Sequence, residues 1–336
     1  MSRDVSVWPA GVGRTVGGVI AYLARRVLLA LVVALLVLVA MSAAVRLIPG
    51  DAATAILKER ATPTLIAQVR RDMGLDQPVH VQVGEFIVKA VHGDLGEDFF
   101  TNRPVTEIVT QAIPHTLVLA VVSMLLATLV AIPLAIFAAA RPGSMVDRLL
   151  AVTSIAAISV PSIVAGLVLL VVFGVELQWF PIIGTGDFSS PLDYLRHLVL
   201  PATALALGWA GYLARLLRAS LVDVLGSTYI RAATAFGVRR RVIFFRFALK
   251  NAFIPTLAVI GYGTASLIGG ALFVEVIFTR EGVGTVLAQA IRNRNYVVVQ
   301  GTVVVVSLLF ILFNLLVDLA YRFVDPRVRI EKQPAT

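Results

Sequence analysis

Little in this chain is equipped for covalent chemistry. Cysteine is absent, which removes thiolate nucleophiles, disulfide frameworks and thiolate metal sites. The four histidines, His80, His92, His115 and His197, form no H-E-x-x-H pair and no local ligand cluster. No G-x-x-x-x-G-K-[ST] loop occurs, and none of Lys58, Lys89, Lys250 or Lys332 lies in a glycine-rich turn, so the chain cannot cradle nucleotide phosphates. Gly11 and Gly13 make half of a dinucleotide fingerprint, but Val16 stands where its third glycine belongs and no strand precedes it. What remains is the chemistry of contact. From Tyr229 to Pro255 the chain reads YIRAATAFGVRRRVIFFRFALKNAFIP, a long basic stretch within a sequence otherwise compatible with lipid. Its Arg231, Ala232, Ala233 and Gly237 set small side chains at helical spacing beside one charge, and small side chains let a partner's backbone approach closely. The stretch reads either as a docking surface or as a charged loop held on one side of a membrane by its arginines.

The elements that position this stretch follow from composition. The 336 residues are 58% hydrophobic and only 15% charged, with a mean hydropathy of +0.90. A water-soluble fold of that composition would expose far more apolar surface than water tolerates, so the chain reads as an integral membrane protein. The net charge of +9 would otherwise suggest a nucleic-acid partner. Here the basic residues concentrate in segments assigned to the cytoplasmic side and the acids in segments assigned outside, so positive-inside asymmetry accounts for the excess and no nucleic acid is expected.

Residues 1–26 carry Arg3, Arg14, Arg25 and Arg26 and precede an uncharged run from Val27 to Val45. That run is too long for a signal-peptide core and long enough to span a bilayer, so it reads as an uncleaved first helix over 27–47 with its N-terminus in the cytoplasm. A polar segment, 48–115, follows and is expected outside as a small helical subdomain. Within it Val79, Val83, Phe86, Ile87 and Ala90 make one apolar stripe ending at Gly93, and Val105, Ile108, Val109 and Ala112 make another after Pro104; a third, Leu65, Ile66, Val69 and Met73, ends at Gly74. Such a subdomain buries only a marginal core alone and is expected to lie against the membrane bundle.

Five further spans, making six in all, are read from the runs Thr116–Ala140, Leu149–Val175, Leu198–Ala214, Asn251–Val274 and Tyr296–Val317, each close to or beyond the roughly 20 residues a bilayer requires. Together they form a transmembrane core over 116–323 with a cytoplasmic loop at 219–253, and six spans return the tail, 324–336, to the cytoplasm. The fifth span repeats Gly261, Ala265 and Gly269 every fourth residue, a stripe for helix packing. Pro133, Pro161 and Pro201 fall inside spans and free backbone carbonyls, which is tolerated where backbone faces protein or water. Trp209 and Tyr212 are candidates to line a pathway, or equally to pack on a neighbouring helix. Glu275 and Asp318 lie toward the ends of their spans, so the midplane carboxylates expected of an ion-coupled transporter are missing and the driving force is expected from elsewhere.

Several dispersed segments, in order, resemble the first permease subunit of bacterial dipeptide/oligopeptide ABC importers, a family that includes glutathione and nickel-chelate permeases. They are Arg25-Arg26 through Arg46-Leu47-Ile48-Pro49-Gly50-Asp51, Leu75-Asp76-Gln77-Pro78, His92-Gly93-Asp94-Leu95-Gly96, Asp223 through Gly237, and Leu315-Leu316-Val317-Asp318 with Asp325-Pro326-Arg327. The resemblance implies an all-α, six-span, type I importer permease in the bacterial inner membrane, with both termini cytoplasmic. It implies a homologous second permease, cytoplasmic ATPase subunits carrying ATP and Mg, and an external peptide-binding protein, with no cofactor on this chain. It also makes Arg231, Ala232, Ala233 and Gly237 the coupling contact with the ATPase, although the generic importer motif opens with Glu where this chain has Arg231. Glutathione or nickel-chelate import is the neighbouring alternative, and an ion-coupled secondary transporter a more distant one.

Overall fold

The computed structural model describes residues 77–324 apart from residue 188, with scattered residues between 25 and 40 and residues 62–64. Among the described residues the chain is helical, with only an isolated bridge between Glu97 and Pro104. In order the helices are α1 (Val79–Val91), α2 (Val105–Ala140), α3 (Met145–Ser159), α4 (Ser162–Glu176), α5 (Pro191–Leu225), α6 (Thr228–Ala235), α7 (Arg240–Ile277), α8 (Val283–Arg292) and α9 (Tyr296–Val324). The last part of α4, Leu170–Glu176, and the early part of α7, Ile243–Ala248, are wound as π-helix.

By length and apolar character α2, α5, α7 and α9 can each cross a membrane, and α3 with α4 forms a further span broken by a 98° bend. The expected first span, 27–47, and the stripe from Leu65 to Met73 lie largely outside the described residues. Helix ends depart from the charge-free runs. α2 begins at Val105, so the stripe Val105, Val109 and Ala112 is the buried N-terminal end of a membrane-length helix and residue 115 is no boundary. The expected loop at 219–253 narrows to the segment between Leu225 and Arg240. A run without charges marks where side chains tolerate lipid, whereas the backbone ladder continues into water as long as nothing interrupts it.

Alanine shapes the core. α2 packs most extensively on α5. Ala120, Ala127, Ala131 and Ala138 of α2 are buried in the same cluster as Ala202, Ala204, Ala206 and Ala214 of α5, and small side chains bring two helix backbones close in lipid. Pro133 and Pro201 sit inside continuous helices, as do Pro114 and Pro255. Only Pro161 breaks one: it forces Val160 out of the helical region to φ −84°, ψ 116°, and the chain turns there between α3 and α4.

At one end of the bundle, the short turn before α3 is tied to α5 by a two-point ion pair. Arg218 donates from Nε to Asp147 Oδ1 at 2.6 Å and from Nη2 to Oδ2 at 2.7 Å, and the Gly143 amide donates to Oδ2 at 2.9 Å. The planar guanidinium matches both carboxylate oxygens at once, which a lysine cannot do. At the other end, Val83 of α1 is buried with Leu38 and Val304, and Leu95 with Val105, Val298 and Val299. The described part of the 48–115 segment thus lies against α2 and α9. Asp98 holds the loop before α2, accepting from the Phe100 amide at 3.0 Å, from the Thr101 hydroxyl at 2.6 Å and from the Asn295 side chain.

Candidate functional site

An eight-residue helix is too short to persist in isolation, so α6 must be held by its surroundings. Ile230 is buried and points back toward the bundle, where α6 rests on the π-helical part of α7 and the end of α5. Tyr229 adds a clamp, its hydroxyl accepting from Asn251 Nδ2 at 3.0 Å. At the far end the Gly237 amide donates to the Thr234 carbonyl at 3.0 Å and the Val238 amide to the Ala233 carbonyl at 3.1 Å. This pair of bonds closes a helix through a left-handed residue, and Gly237 supplies it with φ +75°. A Cβ at Gly237 would meet nothing within 4 Å, so within this chain glycine serves the backbone turn.

The outer face of α6 is open. Arg231 and Ala232 are exposed, Ala233 is half-buried, and Phe236 is 87% exposed. With Tyr229, 45% exposed, Ala232 and Phe236 fall at i, i+3 and i+7, forming one apolar stripe opposite the Ile230 anchor. The structure therefore brings Arg231, Ala232, Ala233 and Gly237 together on one small element, and adds two aromatic residues that the small-residue pattern does not mark. The i, i+3, i+7 spacing was their available signal. Arg239, Arg240 and Arg241 follow directly, all exposed.

Trp209 and Tyr212 lie elsewhere, on the wall of a cleft of about 560 Å³. α5 supplies them along with Gly208; Val160, Pro161 and Ser162 come from the α3–α4 break, and Tyr262 and Ser266 from α7. The two rings meet edge to face, centroids 5.9 Å apart. The cleft exists because the helix break at Pro161 removes the wall that a straight span would have provided. Its lining offers hydroxyls, an indole and apolar carbon but no Asp, Glu, Lys, Arg or His.

The stripe on α7 is not uniform. Gly261 faces Val317 of α9 so closely that any Cβ would collide, and Ala265 is fully buried. Gly269 is exposed and beside a small hollow of about 200 Å³ that also involves Ser307 and Phe310 of α9. Another close approach lies on an adjoining face, at Gly263, where a Cβ would sit 2.6 Å from both Met124 and Trp209.

Residues 131–330 match the family model for the binding-protein-dependent transport system inner membrane component, and residues 19–120 match the N-terminal model of such transport-system membrane components. The chain belongs to this family of transport-system membrane components. This family member is 36% identical, over 92% of its own length and 99% of the relative's, to a probable peptide ABC transporter permease protein of Sinorhizobium fredii. It is 34% identical to a dipeptide transport system permease protein of Alkalihalophilus pseudofirmus, covering 92% and 99% of the two chains. A glutathione transport system permease protein of Salmonella typhimurium is 36% identical, with 92% and 98% covered. Among solved structures, the inward-facing MetNI methionine ABC transporter superposes with a TM-score of 0.52 at 18% identity, covering 65% of this chain and 96% of that one. The crystal structure of an amino acid ABC transporter gives a TM-score of 0.50 at 15% identity, with 66% and 95% covered. At such identities the shared property is the fold, which is that of type I ABC importer permeases. The chain is accordingly a multi-pass inner-membrane permease subunit.

Proposed function

We propose that this permease works with a homologous second permease and with separate ATPase subunits that carry ATP and Mg, and that it moves short peptides inward after delivery by an external peptide-binding protein. The observation that carries the coupling role is α6: a short helix anchored by Ile230 and presenting Tyr229, Ala232 and Phe236 outward beside three arginines. In this reading both termini and α6 lie in the cytoplasm and α1 outside, in keeping with the arginine-rich segment from Arg231 to Lys250. ATPase closure pushes α6, α7 carries that displacement through the membrane, and the cleft between the α3–α4 break, α5 and α7 exchanges access between the two sides. Trp209 and Tyr212 then line the path. Because the cleft wall holds no ionised side chain, peptides pass without a buried counter-charge to bind them, as release on the far side requires. The peptide cargo is supported by the names of the relatives; glutathione, named for the Salmonella relative, is itself a small peptide.

The orientation and the α6 contact are testable together, since the chain has no cysteine of its own. Glu85→Cys, on the exposed side of α1, should react with an impermeant maleimide in intact cells. Ala232→Cys should react only after permeabilisation, and more slowly when the ATPase subunits are present. Labelling of Ala232→Cys in intact cells would overturn the orientation, and labelling indifferent to the ATPase would remove Ala232 from the contact.

A further inference from the structure

Arg280 lies in the turn between α7 and α8 and is fully buried. Among the described residues no carboxylate lies within ion-pair distance of it. An unpaired buried cation is costly, so its partners matter. Nη1 donates to the His197 carbonyl at 3.0 Å, Nη2 approaches the Tyr194 hydroxyl at 3.5 Å, and the guanidinium carbon lies 5.5 Å from the centroid of the Tyr194 ring. Burial lowers its pKa from the ordinary arginine value, yet arginine keeps its charge in proteins.

The acceptor explains the arrangement. His197 lies four residues before Pro201 in α5, and Pro201 has no N–H to complete the helical bond to the His197 carbonyl. A carbonyl orphaned inside a packed membrane protein needs another donor. Arg280 reaches across from the turn after α7 and supplies it. The turn that carries Arg280 is itself fixed on all sides. Its amide donates to the Glu275 carbonyl at 2.9 Å, the Glu281 amide to Thr185 Oγ1 at 2.8 Å, and the Val283 amide to Thr116 Oγ1 of α2 at 3.0 Å. The Gly284 amide donates to the buried Glu275 carboxylate at 2.8 Å, and a Cβ at Gly282 would collide with that same carboxylate.

We infer that Arg280, plugged into the gap Pro201 leaves in α5, is the joint that makes the outer ends of α5 and α7 move as one during transport. α7 runs from beside α6 to this turn, so a push on α6 arrives here, and the proline gap is where α5 receives it. This rests on the importer reading. Arg280 would be a positioning residue and touch no cargo.

The test is a two-residue cycle in the assembled complex with its second permease and ATPase subunits. Arg280→Met should lower the thermal midpoint of the purified complex and reduce ATP-driven dipeptide uptake by roughly tenfold or more, within the span of typical coupling free energies. Pro201→Ala restores an N–H at that position and lets α5 satisfy the His197 carbonyl itself. The double variant should therefore regain most of the lost thermal stability while uptake stays low, because the cross-helix bond is still missing. Recovery of both stability and uptake would reduce Arg280 to a cap for one carbonyl and overturn the joint. No recovery of stability would mean that the Pro201 gap is not what Arg280 fills. If the unmutated complex shows no ATP-driven uptake, the importer reading fails and the joint with it, while the stability cycle still decides the Pro201–Arg280 pairing.

Discussion

Replacing Gly237 by glutamate should abolish uptake while the permease still reaches the membrane in near-normal amount. The residue closes α6 at φ +75°, a conformation that costs a side-chain-bearing residue on the order of 1–2 kcal/mol. That cost falls on an eight-residue helix with one buried anchor, so it perturbs the direction in which α6 ends and leaves the alanine-packed bundle alone. The substitution also places a carboxylate at a helix C-terminus, where the helix dipole disfavours negative charge, and beside the stripe proposed to meet the ATPase. Since a Cβ there touches nothing within the chain, loss of function without loss of protein would point to the partner contact. Arg239→Gln is the control: as an exposed charge it should change uptake little. Three quantities are to be measured: uptake, membrane abundance, and ATPase subunit retained on purification. Normal uptake by Gly237→Glu would remove the position from coupling, and a fall in abundance would assign it to folding.

Ala265→Leu should prevent recovery of the intact complex. Ala265 is fully buried on α7, and three added carbons at a close-packed helix interface force a separation costing about 1–3 kcal/mol or more. Ala265→Gly, which removes volume from the same site, should cost only about 0.5–1 kcal/mol through helix propensity and leave assembly nearly intact. Gly269→Ala should be tolerated, because a Cβ there meets nothing within 4 Å. Yield of assembled complex on size-exclusion chromatography is the readout. Equal yield with leucine at 265 would show that α7 has slack where the structure shows none.

The contrast between Ala265 and Gly269 shows what the sequence could and could not convey. A stripe of small residues every fourth position announces a face, but which of its members meets a neighbour depends on where α9 crosses, and the pattern of α7 alone does not contain that. Beyond residue 116 the apolar runs located the spans because lipid imposes a simple demand on side chains, yet they misplaced helix ends, where the backbone continues past the last apolar residue. Pro161 was visible as an interruption, but the 98° bend it leaves between α3 and α4 was not, since Pro133 and Pro201 sit inside continuous helices. The short element α6 was legible from Ala232, Ala233 and Gly237, whereas the place of each in it was not: the alanines lie on or beside its exposed face and the glycine makes the turn. Arg280 had no signature in the sequence. Its significance arises from His197 and Pro201, far away in the chain, and from a hydrogen bond that proline cannot make.

The most direct test of the importer account is dipeptide accumulation in proteoliposomes holding the complete complex, with the binding protein added on the α1 side and ATP on the α6 side. The account predicts accumulation that requires ATP hydrolysis and the binding protein, and that persists when proton and sodium gradients are collapsed. Accumulation by this chain alone, driven by an ion gradient without ATP, would contradict it.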